Sequence, residues 1–312
     1  MNNPLKSLLS SISNLGASRE GSAVGIDIGS SAIKVVEIRK KAGKAILETY
    51  GTIALGPYAT LDAGSVTNLS ITQIAEAIKE VYKQSGVSNK EGAFSIPIQS
   101  SLIFTLSLPR GVGESEMATI VSTEARKYIP IAITEVSLDY FILPQKEPSF
   151  EEMNKEADDF SIKNASIEKT NVLVVATQND AISKFRSIVS EASLIASFFE
   201  IEIFSSIRAN FEHELSPVLL IDFGAARTKL SIVEFGMVKS YHTIERGGAD
   251  ITSAISTSLG IPFSEAEKMK KKFGLLASGS EKSLLDIVRI HIDYIFSETN
   301  NVLLGYEKKY ER

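Results

Sequence analysis

The sequence predicts an α/β protein with two lobes, each opened by a β-hairpin. Its 312 residues, 44% hydrophobic and 23% charged, are typical of a globular protein and sufficient for two cores. Two segments rich in β-forming residues turn at the same pattern, Asp-x-Gly, first at Asp27 and again at Asp222, about 195 residues later. The stretches that follow each hairpin carry apolar residues at helical spacing.

The composition excludes several classes of function. A formal net charge of -5 offers no basic field, so no nucleic-acid partner is expected. The chain has no cysteine, which excludes disulfides and thiol chemistry and fits a reducing cytoplasm. No apolar run approaches the roughly 20 residues needed to cross a bilayer, so membrane association is expected only through partners.

Residues 1–23 are interpreted as a leader segment without the charge pattern or cleavage site of a signal peptide. An apolar stripe at helical spacing runs through it, formed by Leu5, Leu8, Leu9, Ile12 and Leu15. We expect this stripe to pack on the protein body. Docking on a partner or a membrane surface is the alternative, although Lys6 alone gives weak attraction to anionic lipid.

The elements of the first half follow from periodicity and from turn residues. Gly86 marks the end of a helix, and Pro130 closes another. The segment 147–169 is acidic and is expected to be a solvated loop, because its carboxylates follow no metal-loop spacing. The predicted strands are 24–28, 34–38, 45–55, 92–98, 102–108, 135–144 and 171–177, and the predicted helices are 71–84, 114–128 and 181–193.

The second half begins with a helix predicted over 201–213. The second hairpin follows, with strands at 218–222 and 229–234, and a third strand at 238–244. Two or three helices are expected from Ile251 onward, the last of them long and amphipathic over 284–310.

The first Asp-x-Gly turn has the chemistry of a phosphate site. A strand that turns at Gly29, Ser30 and Ser31 presents successive N–H groups to phosphate oxygens, and glycine permits close approach. Asp27 at the strand end is suited to hold Mg2+ through water, and Lys34 to reach the phosphates as a point charge.

The second turn repeats this arrangement with Asp222, Gly224 and Thr228. A single Asp-x-Gly is a common turn sequence and would carry no functional weight. Two copies in strand-turn-strand settings favour a pair of loops that clamp one nucleotide tail.

The segment 264–274 is predicted to be a helix with Ser264 as its N-cap and Gly274 as its stop. Glu267 and Lys270 lie three residues apart and so share a helical face. From spacing alone a surface ion pair is favoured over a contact with a ribose.

Together these residues resemble the actin and FtsA superfamily. The turn from Gly25 to Lys34 resembles its first phosphate loop, and the turn from Asp222 to Thr228 its second. The segments 247–252 and 266–274 are similar to the FtsA and PilM branch, and 136–140 with 199–209 are closest to the PilM family, whose members act in type IV pilus assembly. The likeness covers the chain from about Val24 to its end.

This resemblance implies an actin-like, ribonuclease H-like fold of two lobes with an FtsA-type inserted subdomain. The implied division is a leader at 1–23, subdomain 1A at 24–100 and 197–216, 1C at 101–196, 2A at 217–250 and 284–312, and 2B at 251–283. Family members continue beyond the position of Arg312 into a strand and an adenine-binding turn, so either this sequence is a fragment or the protein has lost half of its adenine pocket.

The resemblance also implies the cofactors ATP and Mg2+. The implied nucleotide contacts are Gly29, Ser30, Ser31, Lys34, Gly224, Ala225, Thr228, Gly247, Gly248, Glu267 and Lys270. Asp27 and Asp222 would hold the metal through water, with Glu200 beside them, although the branch often has Asp at that position.

The implied function is an ATP-binding scaffold in which ATP closes the lobes and hydrolysis is slow or absent. A groove between 1A and 1C would take the cytoplasmic tail of a PilN-like inner-membrane protein, and PilB- or PilC-type motor components are further expected partners. The protein would then be cytoplasmic and peripheral to the inner membrane.

Two alternatives remain open at this stage. A small-molecule kinase of the same superfamily would need a general base; Asp139 is the candidate, but its strand pattern places it on a solvent face. An FtsA-like cell-division scaffold would need a C-terminal amphipathic membrane helix, which is not seen. His213, His242 and His291 are scattered and suggest no metal or catalytic group.

Overall fold

The computed structural model describes residues 21–109, 111, 113–143, 169–211, 216–279 and 282–310. The leader stripe, most of the acidic loop at 147–169 and His213 lie outside these residues. Strands β1 to β11 are Ser22–Ile28, Ala32–Lys41, Lys44–Ala54, Glu91–Ile96, Ser101–Pro109, Val136–Ile142, Lys169–Gln178, Ile195–Ile201, Val218–Phe223, Thr228–Glu234 and Met237–Ile244. Helices α1 to α7 are Ile71–Ser85, Glu114–Ala125, Asn179–Glu191, Glu202–Asn210, Gly248–Leu259, Phe263–Phe273 and Lys282–Tyr310.

The chain divides into two compact units, of which the smaller contains residues 97–184. Its sheet has the order β5-β7-β6, with antiparallel pairs throughout. Alternate residues of these strands, among them Leu106, Val172 and Val174, bury one face against Met117 and Val121 of α2. The predicted strand-helix-strand-strand order is therefore observed.

The larger unit contains residues 21–96 and 185–310 and holds two further sheets. The first has the order β3-β2-β1-β4-β8, in which β1 and β2 form the first hairpin and β4 runs parallel to both β1 and β8. Ile74, Ile78 and Val81 bury one face of α1. We call this sheet, with α1 and α4, the first lobe.

The second lobe is built on the sheet β11-β10-β9, in which both pairs are antiparallel. Its helices α5, α6 and α7 share a core that includes Ile251, Ile255, Ala266, Leu284 and Val288. No helix in the described part of the chain combines the length and apolarity needed to cross a membrane.

Two predictions of local structure were wrong, and one strand was not predicted. Residues 195–201 form strand β8, because this aromatic and β-branched run pairs with β4. The helix expected from 201 begins at Glu202, close to its predicted start. Helix α6 begins at Phe263, and its N-cap is Pro262, whose carbonyl accepts the N–H groups of Glu265 and Ala266, so Ser264 lies inside the helix and caps nothing. Asp139 is 8% exposed rather than on a solvent face, and its Oδ1 accepts the N–H of Tyr140.

Candidate functional site

The first turn is closed by main-chain hydrogen bonds that leave two donors available. The N–H of Gly29 donates to the carbonyl of Ala32 over 3.0 Å, and a Cβ at Gly29 would lie 3.0 Å from that oxygen. The carbonyls of Ser30 and Ser31 accept N–H groups from residues 67 and 55. Within the described residues no hydrogen bond uses the N–H groups of Ser30 or Ser31, so this turn can still bind an anion.

Asp27 stands at the end of β1, directly across from Lys34 on β2. The Nζ of Lys34 lies 3.2 Å from Asp27 Oδ2, and the hydroxyl of Ser95 donates to Oδ1 over 2.7 Å. The Lys34 side chain is 64% exposed. This contact is therefore a solvent-exposed ion pair, and the lysine is able to move to a ligand.

The second turn has the same construction. The N–H of Gly224 donates to the carbonyl of Arg227 over 2.9 Å, and a Cβ at Gly224 would lie 2.7 Å from that oxygen. Asp222 faces Lys229 across the hairpin, and their Oδ2 and Nζ atoms are again 3.2 Å apart. The N–H groups of Ala225 and Ala226 have no hydrogen-bond partner among the described residues.

Lys229 and Glu202 were missed by the sequence reasoning. Lys229 Nζ donates to Glu202 Oε2 over 2.6 Å, which joins the second turn to the start of α4 in the first lobe. Lys229 had a signal in the sequence, because in both turns a Lys lies five residues after the Gly of Asp-x-Gly. Glu202 had no such signal beyond its place in the segment 199–209, because its role depends on a long-range contact.

The environment of Lys229 keeps its ammonium group charged. Burial alone would lower the pKa of Lys229, but the Coulomb attraction and hydrogen bonds of Glu202 and Asp222 outweigh it and raise the pKa above its usual value. The side chain is 21% exposed, and that of Glu202 is 16% exposed. The two lobes are thus joined here by a largely buried ion pair.

The start of α5 packs directly on the second turn. The N–H groups of Gly248 and Ala249 donate to the carbonyls of Gly224 and Ala225, each over 2.9 Å. A Cβ at Gly247 would lie 2.4 Å from the Ala225 oxygen, so only glycine fits at this crossing. The hydroxyl of Thr228 donates to the carbonyl of Arg246 over 2.9 Å and holds the same junction.

Glu267 and Lys270 lie behind this junction. They form the ion pair that their spacing favours, but it is buried and does not lie on the surface. Glu267 is 8% exposed; its Oε2 accepts the Thr252 hydroxyl and lies 2.7 Å from Lys270 Nζ. Lys270 also donates to the carbonyl of Gly248 over 2.7 Å. Burial alone would raise the pKa of Glu267, but the hydrogen bonds from Lys270 and Thr252 outweigh it and lower the pKa below its usual value.

The first lobe reaches Glu267 at Gly64, which has φ +95°. A Cβ built there would lie 2.9 Å from Glu267 Cδ, so the backbone of this loop lies against the carboxylate. Residue 67 of the same loop is bonded to the Ser30 carbonyl of the first turn. Among the described residues, the lobes therefore meet at Gly64 and Glu267 and also at Glu202 and Lys229.

Glu200 is 5% exposed near the end of β8, and both its oxygens are taken by Arg208 of α4. The hydrogen bond to Glu200 raises the pKa of Arg208 against the opposing effect of burial.

Of the predicted site residues, the structure gathers Gly224, Ala225, Thr228, Gly247, Gly248, Glu267 and Lys270 into one cluster. Gly29, Ser30, Ser31, Lys34 and Asp27 form a second cluster in the first lobe, and Asp222 and Glu200 lie at the ion pairs described above.

Comparison with solved structures shows which known proteins have a similar architecture. The solved PilM-PilN type IV pilus biogenesis complex contains a chain that is 22% identical, with a TM-score of 0.71; the match covers 93% of this chain and 78% of that one. The ethanolamine utilization protein EutJ from Carboxydothermus hydrogenoformans is 15% identical, with a TM-score of 0.52 and coverage of 99% and 84%. A weaker likeness, with a TM-score of 0.45 at 11% identity, is to the ADP-bound MreB5 of Spiroplasma citri, over 90% and 78% of the two chains.

The likenesses to the PilM-PilN complex and to EutJ confirm the predicted actin-like α/β fold. The family profile described as type IV pilus assembly protein PilM matches residues 25–286, most of the chain. The chain belongs to the PilM family of type IV pilus assembly proteins.

Proposed function

We propose that this protein is a nucleotide-responsive scaffold of pilus assembly, which binds ATP between its two Asp-x-Gly turns. The proposal depends on one observation about both turns. Each turn is closed by a main-chain hydrogen bond from its glycine, while the N–H groups of the two residues after that glycine have no partner within the described residues. Such paired N–H groups bind phosphate oxygens. Ser30, Ser31, Ala225 and Ala226 supply them in this proposal, while Gly29 and Gly224 close the two turns.

The remaining predicted contacts take two different roles. Lys34 is exposed and moves its ammonium group to the phosphates, as a point charge. Thr228 and Lys270 are engaged with main-chain carbonyls, so they position the second turn and the start of α5 rather than reach for ligand. Glu267, together with Gly247 and Gly248, forms the wall that receives the nucleoside.

ATP binding sets the closure of the lobes in this proposal, and hydrolysis is slow or absent. A carboxylate that activates water needs an available oxygen, but both oxygens of Glu200 are engaged by Arg208. The buried Asp139 offers no base for the kinase alternative, because it accepts the neighbouring N–H inside its own sheet. The family match favours pilus assembly over the cell-division alternative.

Mg2+ is the second cofactor that the resemblance implies. Asp27 has an exposed carboxylate, but its oxygens already accept Lys34 and the Ser95 hydroxyl. Asp222 and Glu200 are each paired with a cation of the chain itself. A divalent ion at any of these three carboxylates would have to displace such a contact.

The nucleotide proposal is tested by thermal unfolding with and without ATP. A ligand that binds only the folded state, at 100 times its dissociation constant, adds roughly 2.7 kcal/mol. We expect this stabilisation in the wild type, a smaller one in Lys34→Met, and an unchanged one in the control Lys79→Met, which removes an exposed lysine of α1. No stabilisation of the wild type by ATP would refute the proposal.

The proposed partner is the cytoplasmic tail of a PilN-like inner-membrane protein. In this proposal, binding to that tail holds the protein in the cytoplasm next to the inner membrane. The PilM-PilN complex among its structural relatives supports this partner, and motor components of PilB or PilC type are proposed as further contacts. A fluorescent peptide of a PilN-like cytoplasmic tail should bind the full chain, and ATP should change the affinity if lobe closure is coupled to docking. A scrambled peptide that binds equally well would refute the assignment.

A further inference from the structure

The carboxylates predicted to serve a metal ion each face a cation of the chain itself. Asp27 faces Lys34 and Asp222 faces Lys229, both at 3.2 Å, and Glu200 holds Arg208. Within the described residues no group of three or more His, Asp or Glu side chains is arranged to hold a metal ion. Each of these carboxylates therefore already faces one positive charge of the chain.

Lys229 differs from the other two cations in its position. Its Nζ lies between Asp222 of the second lobe and Glu202 of the first, 2.6 Å from the latter. The exposed fraction of its side chain is 21%, compared with 64% for Lys34, so it has far less freedom to leave. A divalent ion brought to Asp222 would meet this fixed positive charge at close range.

We infer that the Lys229 ammonium group is the resident cation of this cleft, taking the place of Mg2+ between Asp222 and Glu202, so that ATP binds here without a divalent ion. This inference rests on the proposed binding of ATP. The ammonium group links the lobes as a bridging metal would, but it stays in place when the nucleotide leaves. A hydrated Mg2+ needs carboxylate or phosphate oxygens around it, and Glu202 and Asp222 are both occupied by the lysine.

The first test compares ATP affinity of the full-length wild type in Mg2+ and in excess EDTA. We expect the two dissociation constants to agree within about threefold, since no metal contributes a charge-assisted contact to the protein. A loss of about tenfold or more in EDTA would overturn the inference while leaving the proposed function intact. Absence of binding in both conditions would refute the proposed function and the inference together.

The second test needs no nucleotide and uses Mn2+ alone, detected by its paramagnetic resonance. Lys229→Met should gain a Mn2+ site, and adding Asp222→Asn should abolish that site. The matched control is Lys239→Met, because Lys239 is a similarly buried lysine of β11 in the same sheet, paired with Glu234 at the far end of β10.

Each result of this second test is decisive. A Mn2+ site in the wild type that Asp222→Asn removes would show that the lysine excludes no metal. A folded Lys229→Met protein without a Mn2+ site would show that the lysine does not stand in for one. If Lys229→Met fails to fold, the wild-type titration with Mn2+ and its Asp222→Asn counterpart decide the matter.

Discussion

Gly247→Ala tests how closely the second turn and α5 are fitted. A Cβ at this position would lie 2.4 Å from the carbonyl oxygen of Ala225 and 2.6 Å from that of Gly224, both main-chain atoms that no side-chain rotation can move. Separation by roughly 1 Å to an ordinary contact would break the hydrogen bonds that Gly248 and Ala249 donate to the same two carbonyls. Two such bonds at about 1 kcal/mol each, plus residual strain, predict a loss of roughly 2–3 kcal/mol.

The displacement should also weaken ATP binding, because the turn carries the N–H groups assigned to the phosphates. We expect a fall of at least about tenfold in affinity, since an error of about 1 Å in a binding group is costly. Urea unfolding by circular dichroism measures the stability, and titration calorimetry measures the affinity. The control is Gly25→Ala on β1, where a Cβ would meet no atom within 4 Å. A Gly247→Ala protein as stable as this control would refute the argument from close packing.

Three further predictions concern the buried ion pairs and the loop at Gly64. Because the pKa of Glu267 is lowered on folding, its carboxylate stabilises the protein at pH values above its ordinary pKa of 4.5, and this stabilisation is lost as the pH falls through the folded-state pKa. The difference in unfolding free energy between the wild type and Glu267→Gln, measured at a series of decreasing pH values, should therefore disappear in acid. Glu200→Gln should lower the free energy of unfolding in urea by about 1–2 kcal/mol, which is less than the usual cost of breaking a buried pair because Arg208 is 43% exposed. If the losses for Glu200→Gln and Arg208→Gln simply add in the double variant, the pairing is contradicted. Gly64→Ala should destabilise by about 1 kcal/mol more than Gly43→Ala, because both glycines have positive φ but only Gly64 faces Glu267, and equal thermal shifts would exclude that contact.

Elements with strong local signals were predicted well. Helix α1 was expected over 71–84 and is observed at Ile71–Ser85, because Ser70 and Gln73 form a reciprocal cap at its start and Gly86 ends it with φ 69°. The long last helix and both hairpins are observed close to their expected bounds. These features are encoded within a few turns of the chain, so periodicity and capping are sufficient to find them.

The errors arose where the chain depends on distant partners. Strand β8 has no clear alternation, and its conformation is set by parallel pairing with β4, about 100 residues earlier. Glu267 looked like half of a surface pair because spacing on one helix cannot show that Thr252 of the neighbouring helix covers it. The division into subdomains 1A, 1C, 2A and 2B and the ligand roles of the site residues remain predictions for the same reason.

The second turn is fixed to α5 through main-chain atoms alone, and this affects how its sequence can change over evolution. Since the carbonyls of Gly224 and Ala225 and the N–H groups of Gly248 and Ala249 belong to every residue type, the side chains at 225 and 226 are not needed to hold the junction. Mutations can therefore accumulate at 225 and 226 as long as the glycines at 224 and 247 are retained. A main-chain scaffold of this kind allows a fold to persist among relatives whose sequences have diverged to 22% identity.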